Sequence, residues 1–269
     1  MKEATIYNER EISRLKEFGL FVVKNAWACL YGALFLLVVL ISQYVPLPIA
    51  RYDFIFILAV LIQIILVATK LESFKEVRVI LLFHVVATVM ELFKTSGQIG
   101  SWSYPGVDQA FFKILTVPLF TGFLYSSVGS YISRIIRIFD MHFEQYPKQI
   151  YVGLLALTIY INFFTHHYVY DLRYILFAII LLMFWKTQIQ FTVHKKVRKF
   201  NFIFAGFACA FFVWVAENIA SYSNVWLYPD QIEYWKMVSL HKIGSWFLLL
   251  IVSFLLVSLV YKDRFKSLK

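Results

Sequence analysis

The stretch HVVATVMELFKTSGQIGSWSYP, residues 84–105, and the stretch WVAENIASYSNVWLYPDQ, residues 214–231, carry the same message twice. In each, an apolar run closes on a glutamate, Glu91 or Glu217. A short loop then ends in W-x-Y-P: Trp102, Tyr104 and Pro105 in the first copy, Trp226, Tyr228 and Pro229 in the second. A second long apolar run follows each box. The equivalent residues recur at a nearly constant offset of about 125 positions, the mark of a duplicated membrane protein with parallel repeats.

The composition extends that reading to the whole chain. Of 269 residues 61% are hydrophobic, and the mean hydropathy is +0.70. Soluble domains are only roughly 45–50% apolar. A spanning helix needs roughly 20 mainly apolar residues, and the segments 26–45, 53–70, 78–96, 110–133, 149–168, 172–190, 200–221 and 237–261 reach or approach that length. The expected fold is therefore all-α, a polytopic membrane helix bundle of about eight transmembrane helices in two parallel four-helix repeats, 26–138 and 139–262. Ahead of it, Ile12, Leu15, Phe18 and Val22 recur at helical spacing opposite charged residues, so segment 1–25 is expected to form an amphipathic cytoplasmic helix. Residues 263–269 form a basic tail.

The net charge of +10 is dispersed in clusters between apolar segments rather than gathered on one surface. That distribution excludes nucleic acid as the expected partner and points to the bilayer. Clusters at Lys2 to Lys24, Lys70 to Arg78, Arg134 to Lys148, Lys195 to Lys199 and Lys262 to Lys269 alternate with nearly bare loops. The alternation places both termini in the cytoplasm and both W-x-Y-P loops outside. Cys29 and Cys209 lie in apolar runs without metal or redox spacing, and the chain has no HExxH, no histidine boxes and no Gly-rich phosphate loop. No metal or cofactor is expected, and zinc proteases, di-iron desaturases and nucleotide-driven pumps are disfavoured.

An acid in hydrocarbon is costly unless it faces a partner, water or a bundle interior. Glu91 and Glu217 are thus the leading candidates for chemistry. His84, Thr88 and Glu91 share one helix face at i, i+4, i+7, so His84 can communicate with Glu91 only through Thr88 or a water. The same column would also serve as a polar seam between helices. Lys113, and Lys236 or Lys242, follow the two loops within a few turns, and each is placed to return toward its glutamate or to snorkel to the interface. Trp102, Tyr104, Trp226 and Tyr228 suit either a lid over a cavity or an interfacial aromatic belt.

Residues 84–105, the run AFFKILTVPLFTGFLYSSVGSYISR at 110–134 and residues 214–231 resemble the bacterial membrane family filed as domain of unknown function 817, also called YoaT-like. The resemblance covers nearly the whole chain, implies the bacterial cytoplasmic membrane, and brings no established activity. At motif level the first copy is also similar to the membrane carotenoid hydratases and, more distantly, the lycopene cyclases. Those families place a helix-end acid before a Gly-rich loop, an aromatic pair and a V-P-L helix start, here Val117, Pro118 and Leu119. The similarity implies an acid at Glu91 and loop positions at Gly97, Gly100, Trp102 and Tyr104.

Three functions fit these residues. The first is acid–base chemistry on an apolar isoprenoid or lipid, of hydratase, cyclase or isomerase type, with Glu91 as acid, His84 and Glu217 assisting, and Thr88, Trp102, Tyr104, Lys113, Trp226, Tyr228 and Lys242 around the substrate. The second is ion- or proton-coupled transport using Glu91 and Glu217. The third is a membrane scaffold or assembly protein. A cavity shared by the two glutamates would separate the first two from the third.

Overall fold

The computed structural model describes residues 13–265. Helix α1, Arg14–Ala28, is capped by the Ser13 hydroxyl, and α2, Leu30–Tyr44, follows it across a 62° bend at Cys29. Leu15, Phe18 and Val22 are exposed on α1; Ile12 and the rest of residues 1–12 lie outside the described residues. Helix α3 is Arg51–Ala68. Helix α4, Phe74–Lys94, opens on a capping box in which Ser73 and Glu76 each satisfy the other's backbone N–H. Helices α5 (Phe120–Ile138), α6 (Gln149–Thr165), α7 (Arg173–Phe184), α8 (Phe202–Tyr222) and α9 (His241–Val260) follow.

The eight expected segments all contain a helix, but the expectation of about eight membrane crossings is corrected. Only α3, α8 and α9 are long and apolar enough to cross, with the bent α1–α2 pair as a fourth, among the described residues. Helix α6 has 17 residues and α7 has 12. At 1.5 Å per residue they reach about 25 Å and about 18 Å, short of a hydrocarbon core of about 30 Å. Helices α4 and α5 fail for the opposite reason, since α4 carries Lys75, Glu76, Arg78, Glu91 and Lys94, and α5 carries Arg134, Arg137 and four serines. Helix α5 occupies the interior, and α4 turns its polar face to it while Leu81, Val85 and Val89 are exposed. Helix α5 packs on α1, α2, α3, α4 and α9, while Ile57, Leu61, Ile64, Leu157, Leu182 and Phe212 are exposed on the surrounding helices. An apolar exterior around a polar middle is what a bilayer solvent selects.

The all-α expectation is corrected as well. Strands β1 (Lys113–Ile114) and β2 (Val117–Pro118) form a small hairpin just before α5. A three-stranded antiparallel sheet joins β3 (His142–Glu144), β4 (Gln188–Thr192) and β5 (Val197–Asn201), with Ile189 opposite Phe200 and Phe143 opposite Ile189. The period-2 pattern Gln188, Ile189, Gln190, Phe191 explains β4: Ile189 is buried while Gln190 bonds Glu144. The basic stretch near residue 195 is thus the turn and second strand of a hairpin rather than a loop between crossings. Its Lys199 pairs with Glu144 at 2.7 Å. In the basic tail, residues 262–265 form a 3-10 turn that buries Phe265 against Phe143, with ring centroids 4.4 Å apart; residues 266–269 lie outside the described residues.

Close approach of α4 to α5 depends on small residues. Gly122 and Gly129 on α5 receive His84 and Phe83 from α4, and the Ser126 hydroxyl donates to the Ile80 carbonyl at 2.9 Å. A Cβ at Gly122 would overlap the His84 imidazole. Gly122→Ala is therefore expected to lower stability by about 1–3 kcal/mol. His84→Ala in the same chain should restore most of the loss in thermal unfolding, because it removes the overlapping ring.

Candidate functional site

The two W-x-Y-P loops meet. Ser103 and Leu227 exchange reciprocal backbone hydrogen bonds of 2.9 Å in an antiparallel bridge. Three consecutive residues at the start of α3 hold this junction. The Tyr52 hydroxyl donates to the carbonyls of Pro105 (2.8 Å) and Val225 (2.9 Å), one from each loop. Arg51 donates to the Ser223 carbonyl at 2.7 Å, and Asp53 accepts from the backbone N–H groups of Phe111 and Phe112. Positive φ at Gly100 (+55°) and Gly106 (+78°) lets the first loop turn back over α4.

Beneath the junction each glutamate is buried and held by aromatic donors. Glu91 accepts at Oε2 from Trp102 Nε1 (2.9 Å) and Tyr104 OH (2.7 Å), and at Oε1 from Tyr125 OH (2.7 Å). Glu217 accepts from the Tyr228 hydroxyl and from Trp246 Nε1 at 2.8 Å. The loop tyrosine and one aromatic from the following helix thus serve each acid. The Tyr125 and Trp246 rings lie 6.1 Å apart.

Glu91 and Glu217 line one cavity of about 280 Å³. Trp102, Tyr104, Trp226, Tyr228 and Lys242 join them on its wall, so seven of the sequence candidates come together. His84, Thr88 and Lys113 do not. The His84 ring packs on Phe123 at 4.9 Å, and the Thr88 hydroxyl returns to the His84 carbonyl at 2.7 Å, so the column is not continuous to Glu91 through side chains. Lys113 donates to the carbonyls of Val107 and Asp108 at the loop surface. Lys242 shares the cavity with Glu217 without a close ion pair, and its ammonium rests on the Tyr228 ring at 4.1 Å and the Trp102 ring at 5.8 Å.

Other wall residues escape sequence reasoning. Lys94 sits one turn beyond Glu91, and its Nζ lies 2.7 Å from His167 Nε2. Burial, reinforced by the Lys94 charge, pushes the His167 imidazole down to about 4, so at neutral pH it is an acceptor for that ammonium. Arg173 binds Asp171, and bonds from Arg173 and Asn162 outweigh burial and hold the Asp171 carboxyl at about 2. The i+3 spacing of Lys94 from Glu91 was the available signal for the first; Arg173 looks like any interfacial arginine until the fold brings it inward.

A second, narrower apolar cleft of about 40 Å³ lies beside the cavity between α4, α5, α6, α8 and α9. Met90, Tyr125, Trp246 and Leu249 belong to both, and Phe83 and Leu256 mark its far end.

Fold and site together define a helical protein with apolar helices of membrane-crossing length, enclosing a cavity with two carboxylates and three cations. The chain belongs to the family described as "Protein of unknown function (DUF817)", which matches residues 17–254. It is similar to the "Uncharacterized protein YoaT" of Bacillus subtilis (strain 168), 39% identical over 250 residues, covering 93% of this chain and 92% of that protein. No solved structure matches.

Proposed function

We propose that this chain is a membrane enzyme that carries out acid–base chemistry on the unsaturated part of a lipid or isoprenoid. The observation that carries the reading is the cavity shared by Glu91 and Glu217, with an apolar cleft beside it. Shifting a carbon–carbon double bond needs one proton delivered and another removed. A pair of carboxyl groups holding one proton between them supplies both. Protonated Glu91 gives its proton to an alkene carbon, leaving a carbocation that the Trp102, Tyr125 and Trp246 rings stabilise. Ionised Glu217 then takes a proton from the neighbouring carbon in isomerisation, or from a water that adds to the cation in hydration. Tyrosine hydroxyls accept as well as donate, so Tyr104 and Tyr125 accommodate either protonation state of Glu91.

Transport is supported less well. A path continuing beyond the cavity would have to pass the opposite end of α5, where Glu72, Ser130 and Arg134 are at most 2% exposed and bonded to one another or their neighbours.

The same reading includes two parallel four-helix repeats, α2 to α5 and α6 to α9, within segments 26–138 and 139–262. The reciprocal Ser103–Leu227 pairing of equivalent positions supports it, because such exchange is the signature of a two-fold axis. The location is the bacterial cytoplasmic membrane. Arg137, Lys199 and Arg264 lie at the end opposite the loops, which is assigned to the cytoplasm together with both termini.

The test compares total lipid extracts by mass spectrometry from cells lacking the protein and cells producing wild type, Glu91→Gln or Glu217→Gln. A lipid or isoprenoid species formed only with wild type, unchanged in mass or heavier by one water, is the expected result. Identical profiles in all four strains would sink the proposal.

A further inference from the structure

We propose that Lys94, Arg173 and Lys242 form a subsite for the phosphate-type headgroup of an amphiphile held in the cavity, with its chain directed at the apolar cleft; this names the substrate class and rests on the reading of the cavity given above.

The two helices that bring the carboxylate level and the cleft together also set the order of functions along the site. From the loop end, α4 presents Lys94, then Glu91, then Met90 and Phe83. Helix α9 runs the other way and presents Lys242, then Trp246, which donates to Glu217, then Leu249 and Leu256. Both walls therefore read cation, carboxylate level, apolar lining. The eleven steps of helix from Lys94 to Phe83 span about 16 Å. That gradient suits a molecule charged at one end and apolar at the other, and suits neither a free polar solute nor a wholly apolar chain.

The two lysines are not consumed by the acids beside them. Lys94 lies one turn from Glu91 on the same helix, where a pair would be easy to form, yet its ammonium turns to the neutral imidazole of His167. Lys242 rests on aromatic faces. Among the described residues neither lysine makes an ion pair within 4.0 Å, although Lys94 is only 5% exposed. A buried ammonium whose single hydrogen-bond partner is neutral is costly without a counter-anion. Arg173, with Nε and Nη2 on Asp171 and Nη1 reaching Ser245 Oγ at 3.4 Å, adds its remaining N–H groups to the same wall. Asp171 pairs with Arg173, and Glu217 and Asp230 act on Lys242 only at longer range, so neither lysine has a carboxylate within 4.0 Å and a phosphate oxygen set would supply the missing close counter-charge.

The test uses the purified full chain in lipid nanodiscs, titrated with geranyl phosphate, geraniol or inorganic phosphate, with affinity read from thermal stabilisation and calorimetry. Geranyl phosphate is expected to bind at least about tenfold more tightly than either geraniol or inorganic phosphate. Lys94→Gln and Lys242→Gln should each weaken it by about tenfold while geraniol affinity stays the same, and Lys94→Arg should retain binding. Equal binding of geranyl phosphate and geraniol, or lysine variants indistinguishable from wild type, would overturn the subsite. Inorganic phosphate binding as tightly as geranyl phosphate would assign the cations to the free ion and overturn the headgroup assignment. The readout is affinity rather than turnover, so a wild type that converts lipid but shows no preference for geranyl phosphate removes only this inference, and a wild type that shows the preference without any conversion removes only the enzyme reading.

Discussion

Glu91→Gln is expected to abolish activity while leaving the protein folded, whereas Glu91→Leu is expected to damage both. The difference follows from how the donors divide. Trp102 and Tyr104 both donate to one carboxylate oxygen and Tyr125 donates to the other. A glutamine carbonyl replaces the first oxygen, and its amide donates to the Tyr125 hydroxyl, which reverses to accept. The network survives, but an amide can neither release nor take up a proton at neutral pH. Leucine instead orphans three buried donors, each worth about 1–3 kcal/mol when left unsatisfied. Thermal unfolding in detergent should therefore show Glu91→Gln within a few degrees of wild type and Glu91→Leu far below it. If the two variants were equally stable, the three aromatic bonds would not be holding this carboxylate.

Arg134→Met is expected to give the largest stability loss outside the cavity, about 3–5 kcal/mol, as when one partner of a buried pair is removed. Arg134 is fully buried, with Nη1 3.9 Å from Glu72 and Nη2 donating to the Trp27 carbonyl at 2.8 Å. Glu72, 2% exposed, also accepts from Ser130 and Gln63. Without the guanidinium the carboxylate keeps two neutral donors and loses its countercharge. Adding Glu72→Gln removes the stranded charge, so the double variant should recover a large part of the lost unfolding temperature. A double variant no better than Arg134→Met would mean that the lost bond to Trp27, which ties α5 to α1, carries the effect.

Part of the site was legible because the bilayer makes certain residues expensive. A glutamate at the end of an apolar run must find a partner or water, so Glu91 and Glu217 follow from cost alone. The sequence offers lysines as those partners and a lid or belt for Tyr104 and Tyr228, whereas the two tyrosines are the donors. The tryptophan that donates to Glu217 is not Trp226, the repeat equivalent of Trp102, but Trp246 on the next helix. Charge was harder to read. Arg134 and Arg137 fit a topology signal, but the fold buries Arg134 against Glu72 and folds the exposed Arg137 over the buried Glu76, acids far away in the chain that spacing does not connect to them. Lys113 fits a partner for Glu91, but the short β1–β2 hairpin turns it to the loop surface.

The chain by itself determined a membrane-type helical protein with paired acids and aromatic loops, because composition and the penalty for buried charge act locally. Only the tertiary structure decided which helices are long and apolar enough to cross, which polar helix fills the middle, and that both glutamates and three cations share one cavity. Those outcomes depend on Gly122 and Gly129 admitting α4 against α5, and on Tyr52 clasping both loops. Such contacts join residues remote in the chain, and no local periodicity records them.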